Sequence, residues 1–348
     1  MNDGPGHDVD GASGLGRGEH SRPGPPSREG EPLDQLGGAR SSASADLEAA
    51  AGKTAQVLVE ALPYLRRFAG SVIVVKYGGN ALHDAVGDPL EVFASDIVLM
   101  HSVGLRPVVV HGGGPQISAM LQRLGMVPQF REGLRVTDRD TLDVARMVLV
   151  GKVNKDIVSA VNTKAPVAVG ISGEDGAFLR VTARDPALGY VGDVRSVDTT
   201  LLDKLLAEQL VPVIATIGTD DDGNAYNVNA DTAAAAIAAA LGAEKLIHLT
   251  NVEGIRGVAA DPTTRHSHLS ADELDLLLRS GALGGGMAPK AESCLHAVRN
   301  GVSAAHVLDG RVPHVLLLEL FTEAGIGTMV TPMSRGCPEA GAASAVVP

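Results

Sequence analysis

Apolar residues in this chain come in short β-branched runs, separated by stretches with the spacing of helices. Val72-Ile73-Val74-Val75, Val108-Val109-Val110, Val167-Ala168-Val169-Gly170-Ile171, Val211-Pro212-Val213-Ile214-Ala215, Lys245-Leu246-Ile247-His248-Leu249, Ala304 to Leu308 and Thr328 to Thr331 predict strands. Such near-continuous runs suit strands covered on both faces. Helical patterns fall between them, over about 89–103, 116–124, 140–161, 201–208, 230–240, 290–300 and 315–321. Residues 177–198 read as a short hairpin excursion. An amphipathic helical stretch, residues 54–68, precedes the first strand; Pro63 inside it predicts a kink or break. Strand alternating with helix predicts an α/β protein, with a mainly parallel sheet between two helical layers. In such sheets ligands gather at the carboxyl ends of the strands.

Composition sharpens this picture. The 348 residues are 45% hydrophobic and only 3% aromatic, with no Trp, which favours an Ala/Val/Leu-rich α/β protein over an all-β sandwich. The net charge of -12 lacks the basic field of a nucleic-acid binder, so no nucleic-acid partner is expected. Cys294 and Cys337 build neither a disulfide framework nor a zinc cluster and fit a reducing cytosol. No apolar run approaches membrane-spanning length, and the N-terminus lacks an apolar signal core. Residues 1 to about 45 and 333–348 are poor in large apolar residues and predict disordered tails.

Several strand ends carry chemistry. The first strand ends Lys76-Tyr77-Gly78-Gly79. A lysine is costly in an apolar layer unless an anion meets it, and glycines allow close backbone approach; a snorkelling lysine and a plain turn are the rival reading. His111-Gly112-Gly113-Gly114-Pro115 is a second glycine turn, opening a helix whose bare N–H groups attract anions. Its rival, the oxyanion loop of lipases, needs a Gly-x-Ser-x-Gly elbow that is not found. Arg135 suits either a surface ion pair or a bidentate grip on a carboxylate. Asn229 or Asp231 could cap the alanine-rich helix, whereas Asn227 precedes it and is not needed as a cap. Thr250 and Asn251 close another strand. Lys290 follows Gly284-Gly285-Gly286-Met287-Ala288-Pro289 in a first helical turn, where a cation is disfavoured by about 0.3–1 kcal/mol unless an anion binds there.

In series, Lys76 to Ala81, His111 to Pro115, Gly133-Leu134-Arg135-Val136-Thr137, Asn227-Val228-Asn229-Ala230-Asp231 and Gly285-Gly286-Met287 with Lys290 resemble the amino acid kinase family over residues 55–332. The resemblance implies a three-layer αβα sandwich and a cytoplasmic enzyme of arginine biosynthesis. Its reaction would be ATP-dependent phosphorylation of the γ-carboxylate of N-acetyl-L-glutamate. It also implies a helix at residues 46–70 used for oligomerisation, an acetylglutamate lobe at 71–240 and an ATP lobe at 241–332. Lys76 and Lys290 would stabilise the moving phosphoryl group, held by Asp231. Gly113, Gly114, Arg135 and Asn227 would bind the substrate. Gly78, Gly79, Thr250, Asn251 and Gly254 would serve the nucleotide. Mg²⁺ would bridge the phosphates, with no ligand from protein side chains.

The N-terminal helix and residues 301–327 resemble the family's arginine-inhibited, hexameric branch, which implies L-arginine contacts at His306, Glu319 and Gly327. Val315 stands where that branch carries serine. Glutamate 5-kinase or aspartate kinase activity, or a non-catalytic amino-acid sensor, are the alternatives.

Overall fold

The computed structural model describes residues 51–53, 55–78, 88–131, 133–257, 261–284, 286–322 and 325–332. The expected tails, Gly79 and Gly285 lie outside these residues. The chain divides into two units, Met1–Val57 and Leu58–Pro348. The first contributes the helical residues 51–53 and 55–57; all that follows concerns the second.

Residues 58–68 are helical (α1), and the helix runs through Pro63 without a break. The central sheet has eight strands: β1 Val72–Tyr77, β2 Arg106–His111, β5 Ala168–Ser172, β8 Val211–Ala215, β11 Lys245–Thr250, β12 His268–Ser270, β13 Ala304–Asp309 and β14 Thr328–Thr331. Their spatial order is β12-β14-β13-β11-β1-β2-β8-β5. All pairs are parallel except β13 with β14. From β1 the chain first winds outward through β2 to β5 and β8. It then crosses back to β11 on the other side of β1. The winding therefore reverses beside β1, the kind of place where α/β sheets open a crevice.

The β1 side chains alternate between two cores. Ile73 and Val75 join one cluster with α2 (Pro89–Ser102) and α3 (Gly114–Arg123). Val74 joins the other with α7 (Ala230–Ala240) and α9 (Met287–Arg299). This period-two split is what a strand buried on both faces requires. It puts Lys76 on the α7/α9 face, two residues beyond Val74. Lys76 pairs in register with His248 of β11, so the two side chains share that face.

The expected helix over 140–161 is a rod of three segments: α4 Arg139–Arg146, a π-helical Met147–Val153 and α5 Asn154–Lys164. The excursion at 177–198 is larger than a hairpin. Strands β6 Leu179–Ala183, β7 Val191–Val197, β9 Ile217–Thr219 and β10 Ala225–Val228 close into a small barrel. Phe130–Arg131 (β3) and Leu134–Arg135 (β4) pair as a second small addition. Helices α6 Thr200–Ala207, α8 Ala271–Arg279 and α10 Val315–Phe321 complete the unit. Helix α8 opens with a reciprocal capping box between Ser270 and Glu273.

Candidate active site

The site starts from local chain chemistry. Alanine supplies the helix propensity of α7, and Asn229 caps it, its side-chain oxygen accepting from the backbone N–H groups of Asp231 and Thr232. With capping done by Asn229, the Asp231 carboxylate is free to face the strand ends. Lys76 Nζ lies 2.8 Å from Asp231 Oδ1, and Lys290 Nζ donates to Oδ2 at 2.9 Å. Two ammonium groups 214 positions apart in sequence thus share one buried carboxylate. The cluster carries one net positive charge.

The electrostatics follow from burial and neighbours. Burial alone pushes the Asp231 carboxyl up, but Lys76, His248 and Lys290 outweigh it and hold it well below the usual carboxylate range. Burial, with the Lys290 charge adding to it, lowers Lys76 against the pull of Asp231. His248 is also lowered by burial and stays neutral at pH 7.

The cluster opens onto a cleft of about 600 Å³. Lys76, Gly78, Gly113, Gly114, Arg135, Asn227, Asp231, Thr250, Asn251, Gly254 and Lys290 all line it. The expected catalytic, substrate and nucleotide residues therefore meet in one place, apart from Gly79, which lies outside the described residues. Gly113 passes close to the rod: a Cβ on it would sit 2.7 Å from Leu149 Cδ2 and 3.3 Å from Val153 Cγ2, so those side chains would have to give way. Gly254 has φ +145 and passes against Thr328 Oγ1, a conformation and contact that suit glycine.

The turn after β2 is braced from below. His111 is buried, and burial lowers its pKa to about 4. Its Nδ1 lies 3.0 Å from the Gly112 carbonyl, which can only accept, so the proton is on Nδ1. Nε2 then accepts from Asn154 Nδ2 at 3.1 Å, and that amide also donates to the Val213 carbonyl. Arg135 is no surface ion pair. One guanidinium nitrogen donates to the Gly114 carbonyl and Ser118 Oγ, at 2.9 and 2.8 Å. Its plane lies over Phe130, and Nη1 is buried without a hydrogen-bond partner among the described residues. An unpaired guanidinium edge in a cleft demands an acceptor.

The sequence profile described as the amino acid kinase family matches residues 71–309. The chain belongs to the amino acid kinase family. Acetylglutamate kinase from Acidothermus cellulolyticus is 53% identical over 300 residues, covering 83% of this chain and 100% of the relative. Acetylglutamate kinase from Streptomyces avermitilis is 52% identical, covering 80% of this chain and 93% of the relative. Among solved structures, N-acetylglutamate synthase from Neisseria gonorrhoeae, complexed with coenzyme A and N-acetyl-glutamate, superposes with TM-score 0.71 at 29% identity. That match covers 80% of this chain and 64% of the synthase. Carbamate kinase from Giardia lamblia bound to AMP-PNP shares the fold, with TM-score 0.57 at 16% identity over 76% of this chain and 99% of the kinase.

In this amino acid kinase His306, Glu319 and Gly327 stand apart from the cleft. His306 Nδ1 lies 3.0 Å from Glu319 Oε1, and Lys245 Nζ lies 3.0 Å from His306 Nε2. Glu319 Oε2 also accepts from the Ile326 backbone. Burial pushes the Glu319 carboxyl up, but His306 and Lys245 outweigh it. Lys245 Nζ lies over the Phe68 ring at 5.4 Å, which joins this cluster to the end of α1.

Two residues of the amino acid kinase site escape a reading by motif: His248 and Ser293. The signal was a polar residue inside an apolar strand, at the same parity as Lys76 in its neighbour. Among the described residues no group of three His, Cys, Asp or Glu side chains is placed to cage a metal ion, and no helix is long and apolar enough to cross a membrane.

Proposed function

We propose that this protein transfers the γ-phosphoryl group of ATP to the γ-carboxylate of N-acetyl-L-glutamate, as the second step of arginine biosynthesis in the cytoplasm. The observation that carries the reading is the pair Lys76 and Lys290 on one buried Asp231, at the head of a cleft whose side wall offers the open edge of Arg135.

The nucleophile explains the residue choice. A glutamate-type carboxyl group ordinarily titrates at about 4.3, so it is ionised at neutral pH and needs no general base. What opposes reaction is repulsion between it and the phosphate oxygens, so catalysis is alignment and charge neutralisation. Lys76 and Lys290 flank the moving phosphoryl group, and Asp231 spaces them. Arg135 and Asn227 hold the substrate α-carboxylate, with the amides of Gly113 and Gly114 along the path. Thr250, Asn251, Gly254 and Gly78 attend the nucleotide. Residues 71–240 form the acetylglutamate side and 241–332 the ATP side. Mg²⁺ would arrive on the nucleotide, since it readily keeps waters and phosphate oxygens as ligands. When bound, it neutralises phosphate charge.

L-Arginine is proposed as a feedback inhibitor at His306, Glu319 and Gly327. The pair of buried His306 and part-buried Glu319 beside Lys245, joined to α1 through Phe68, supports that choice. A hexamer assembled through α1 is proposed too. Leu58, Val59 and Leu62 on that helix are exposed apolar residues, as a helix meeting another subunit would present. A coupled ATP assay with N-acetylglutamate, glutamate and aspartate in parallel tests the activity. Turnover of the plain amino acids without turnover of the acetylated one would refute it. Sizing the protein with and without residues 1–70 tests the assembly, where an unchanged size would refute the role of α1.

A further inference from the structure

Behind the two lysines lies a third group on Asp231 that no substrate can reach. His248 is wholly buried and does not line the cleft. Its Nδ1 lies 3.4 Å from Asp231 Oδ1, the oxygen that Lys290 does not contact. Its Nε2 lies 3.0 Å from Ser293 Oγ. The Ser293 hydroxyl also donates to the Asp231 backbone carbonyl at 2.6 Å. Ser293 follows Lys290 by three positions in α9 and so shares its face of the helix. Ser293 thus holds Asp231 by its carbonyl, His248 stands beside its carboxylate without yet bonding it, and the pair couples β11 to the helix that carries Lys290.

We propose that His248 is a positioning residue for phosphoryl transfer: its Nδ1–H anchors Asp231 Oδ1 while Lys76 and Lys290 turn towards the phosphates. This rests on the kinase reading above. The plain alternative is a core histidine that fills space.

Chemistry favours the anchor. In the resting site each carboxylate oxygen has one lysine. Phosphoryl transfer draws both ammonium groups towards new anions, and Oδ1 would then be a buried charge short of a donor, which is costly. A ring at 3.4 Å is too far for a good hydrogen bond now, yet near enough to close when Lys76 shifts. The tautomer follows from charge. A bare Nδ1 lone pair against a carboxylate is repulsive, whereas an Nδ1–H makes a charge-assisted bond. Nε2 is then an acceptor, and the single Ser293 proton, given to the Asp231 carbonyl in this structure, turns to Nε2 as the anchor closes. Burial lowers the basicity of the ring and keeps it neutral, so it adds a donor without adding a third cation to the cluster.

Three variants and one spectrum test this. His248→Leu keeps apolar bulk and removes the donor. His248→Asn places an amide N–H near the former Nδ1. Ser293→Ala frees the ring edge. The anchor predicts that kcat for N-acetylglutamate falls about tenfold or more in His248→Leu and about threefold in Ser293→Ala, with KM for both substrates within about twofold. It predicts that His248→Asn stays within about threefold of the parent, and that Ser293→Ala costs less on top of His248→Leu than it does alone, the remainder being its own bond to the Asp231 carbonyl. A space-filling histidine predicts the opposite order, with the polar asparagine worse than leucine. Leucine turning over within twofold of the parent, or asparagine falling below leucine, overturns the proposal. If His248→Leu does not fold, a folded His248→Asn with kcat more than tenfold down overturns it just as firmly. The spectrum separates this failure from failure of the kinase reading, because it needs no substrate. In a ¹⁵N-edited spectrum of the full chain at pH 7, with His248 assigned by its loss in His248→Asn, a proton on Nδ1 supports the anchor. A ring protonated on Nε2 alone overturns it, whatever the enzyme phosphorylates.

Discussion

Replacing Asp231 with asparagine keeps the shape of the cluster and removes its negative charge. The head of the cleft then holds two positive charges with no counter-ion, where the native site holds a net of one. Lys76 is buried, and its ammonium has lost a carboxylate 2.8 Å away. Breaking a buried pair by removing one partner costs about 3–5 kcal/mol. At roughly 2–4 °C per kcal/mol for a domain of this size, Tm at pH 7 should fall by about 10 °C. The pH dependence has a definite sign. In the parent the Asp231 pKa is depressed, so its stabilisation is present above the unfolded pKa and is lost as pH falls through the folded one. The difference between parent and Asp231→Asn should therefore shrink on acidification below about pH 4. Lys76, already lowered by burial, drops further in the variant, which should regain stability as pH rises towards the unfolded lysine value of about 10.4. Kinetics add an independent arm. The extra net positive charge should leave KM for ATP unchanged or lower it, while kcat falls by about 10²–10³ because the lysines have lost their spacer. Urea and thermal unfolding across pH 3–10, with initial rates at varied ATP, measure all of this. A variant within 2 °C of the parent at pH 7, or one whose defect lies in KM for ATP at unchanged kcat, would refute the role given to Asp231.

Lys290→Ala should stay folded and lose at least about 100-fold in kcat, since a partly exposed lysine at the cleft contributes to the transition state more than to the core; circular dichroism with the coupled assay checks both halves. Arg135→Lys should raise KM for N-acetylglutamate by about 10- to 100-fold and leave KM for ATP alone, because one ammonium cannot copy a planar fork stacked on Phe130; equal effects on both substrates would count against it. Asp96 lies 2.6 Å from His314, yet burial outweighs that partner and raises its pKa to about 6. The folded protein therefore holds a proton that the unfolded chain releases, and stability should decline between about pH 4 and 6 by about 1–3 kcal/mol as the carboxyl ionises. Urea midpoints should show that decline in the parent and a flatter line in Asp96→Asn.

Much of this was legible in the chain. Five of the six parallel strands are buried on both faces and so read as mainly apolar runs, while the edge strand β5 is half-buried yet keeps a β-branched pattern. Lys76, Asn227 and Lys290 stood out because each is a polar residue that packing or capping does not call for, whereas Arg135 and Asp231 also had ordinary readings, an ion pair and a helix cap, and were picked out by the family resemblance. Strands β9, β10 and β12 were not, being only three or four residues long; β12 is held by β14, far along the chain, while β9 and β10 pair with each other across a short turn. Pro63 was expected to kink or break its helix, and the helix runs through it unbroken. His248 hid inside an apolar strand, since its value depends on which residue stands beside it in register, a fact of topology rather than of spacing.

The π-helical turn at Met147–Val153 sets the phase of the rod that crosses beneath the glycine turn. It carries one residue more per turn than the segments on either side. The wide turn absorbs that residue, so the turns on either side stay in phase and Asn154 still meets His111. Deleting one residue there would let the rod run as regular α-helix with the downstream segment facing as before. The same deletion in a regular turn would rotate everything beyond it by about 100°. The wide turn is thus the one stretch of the rod that can lose a residue and still brace the glycine turn.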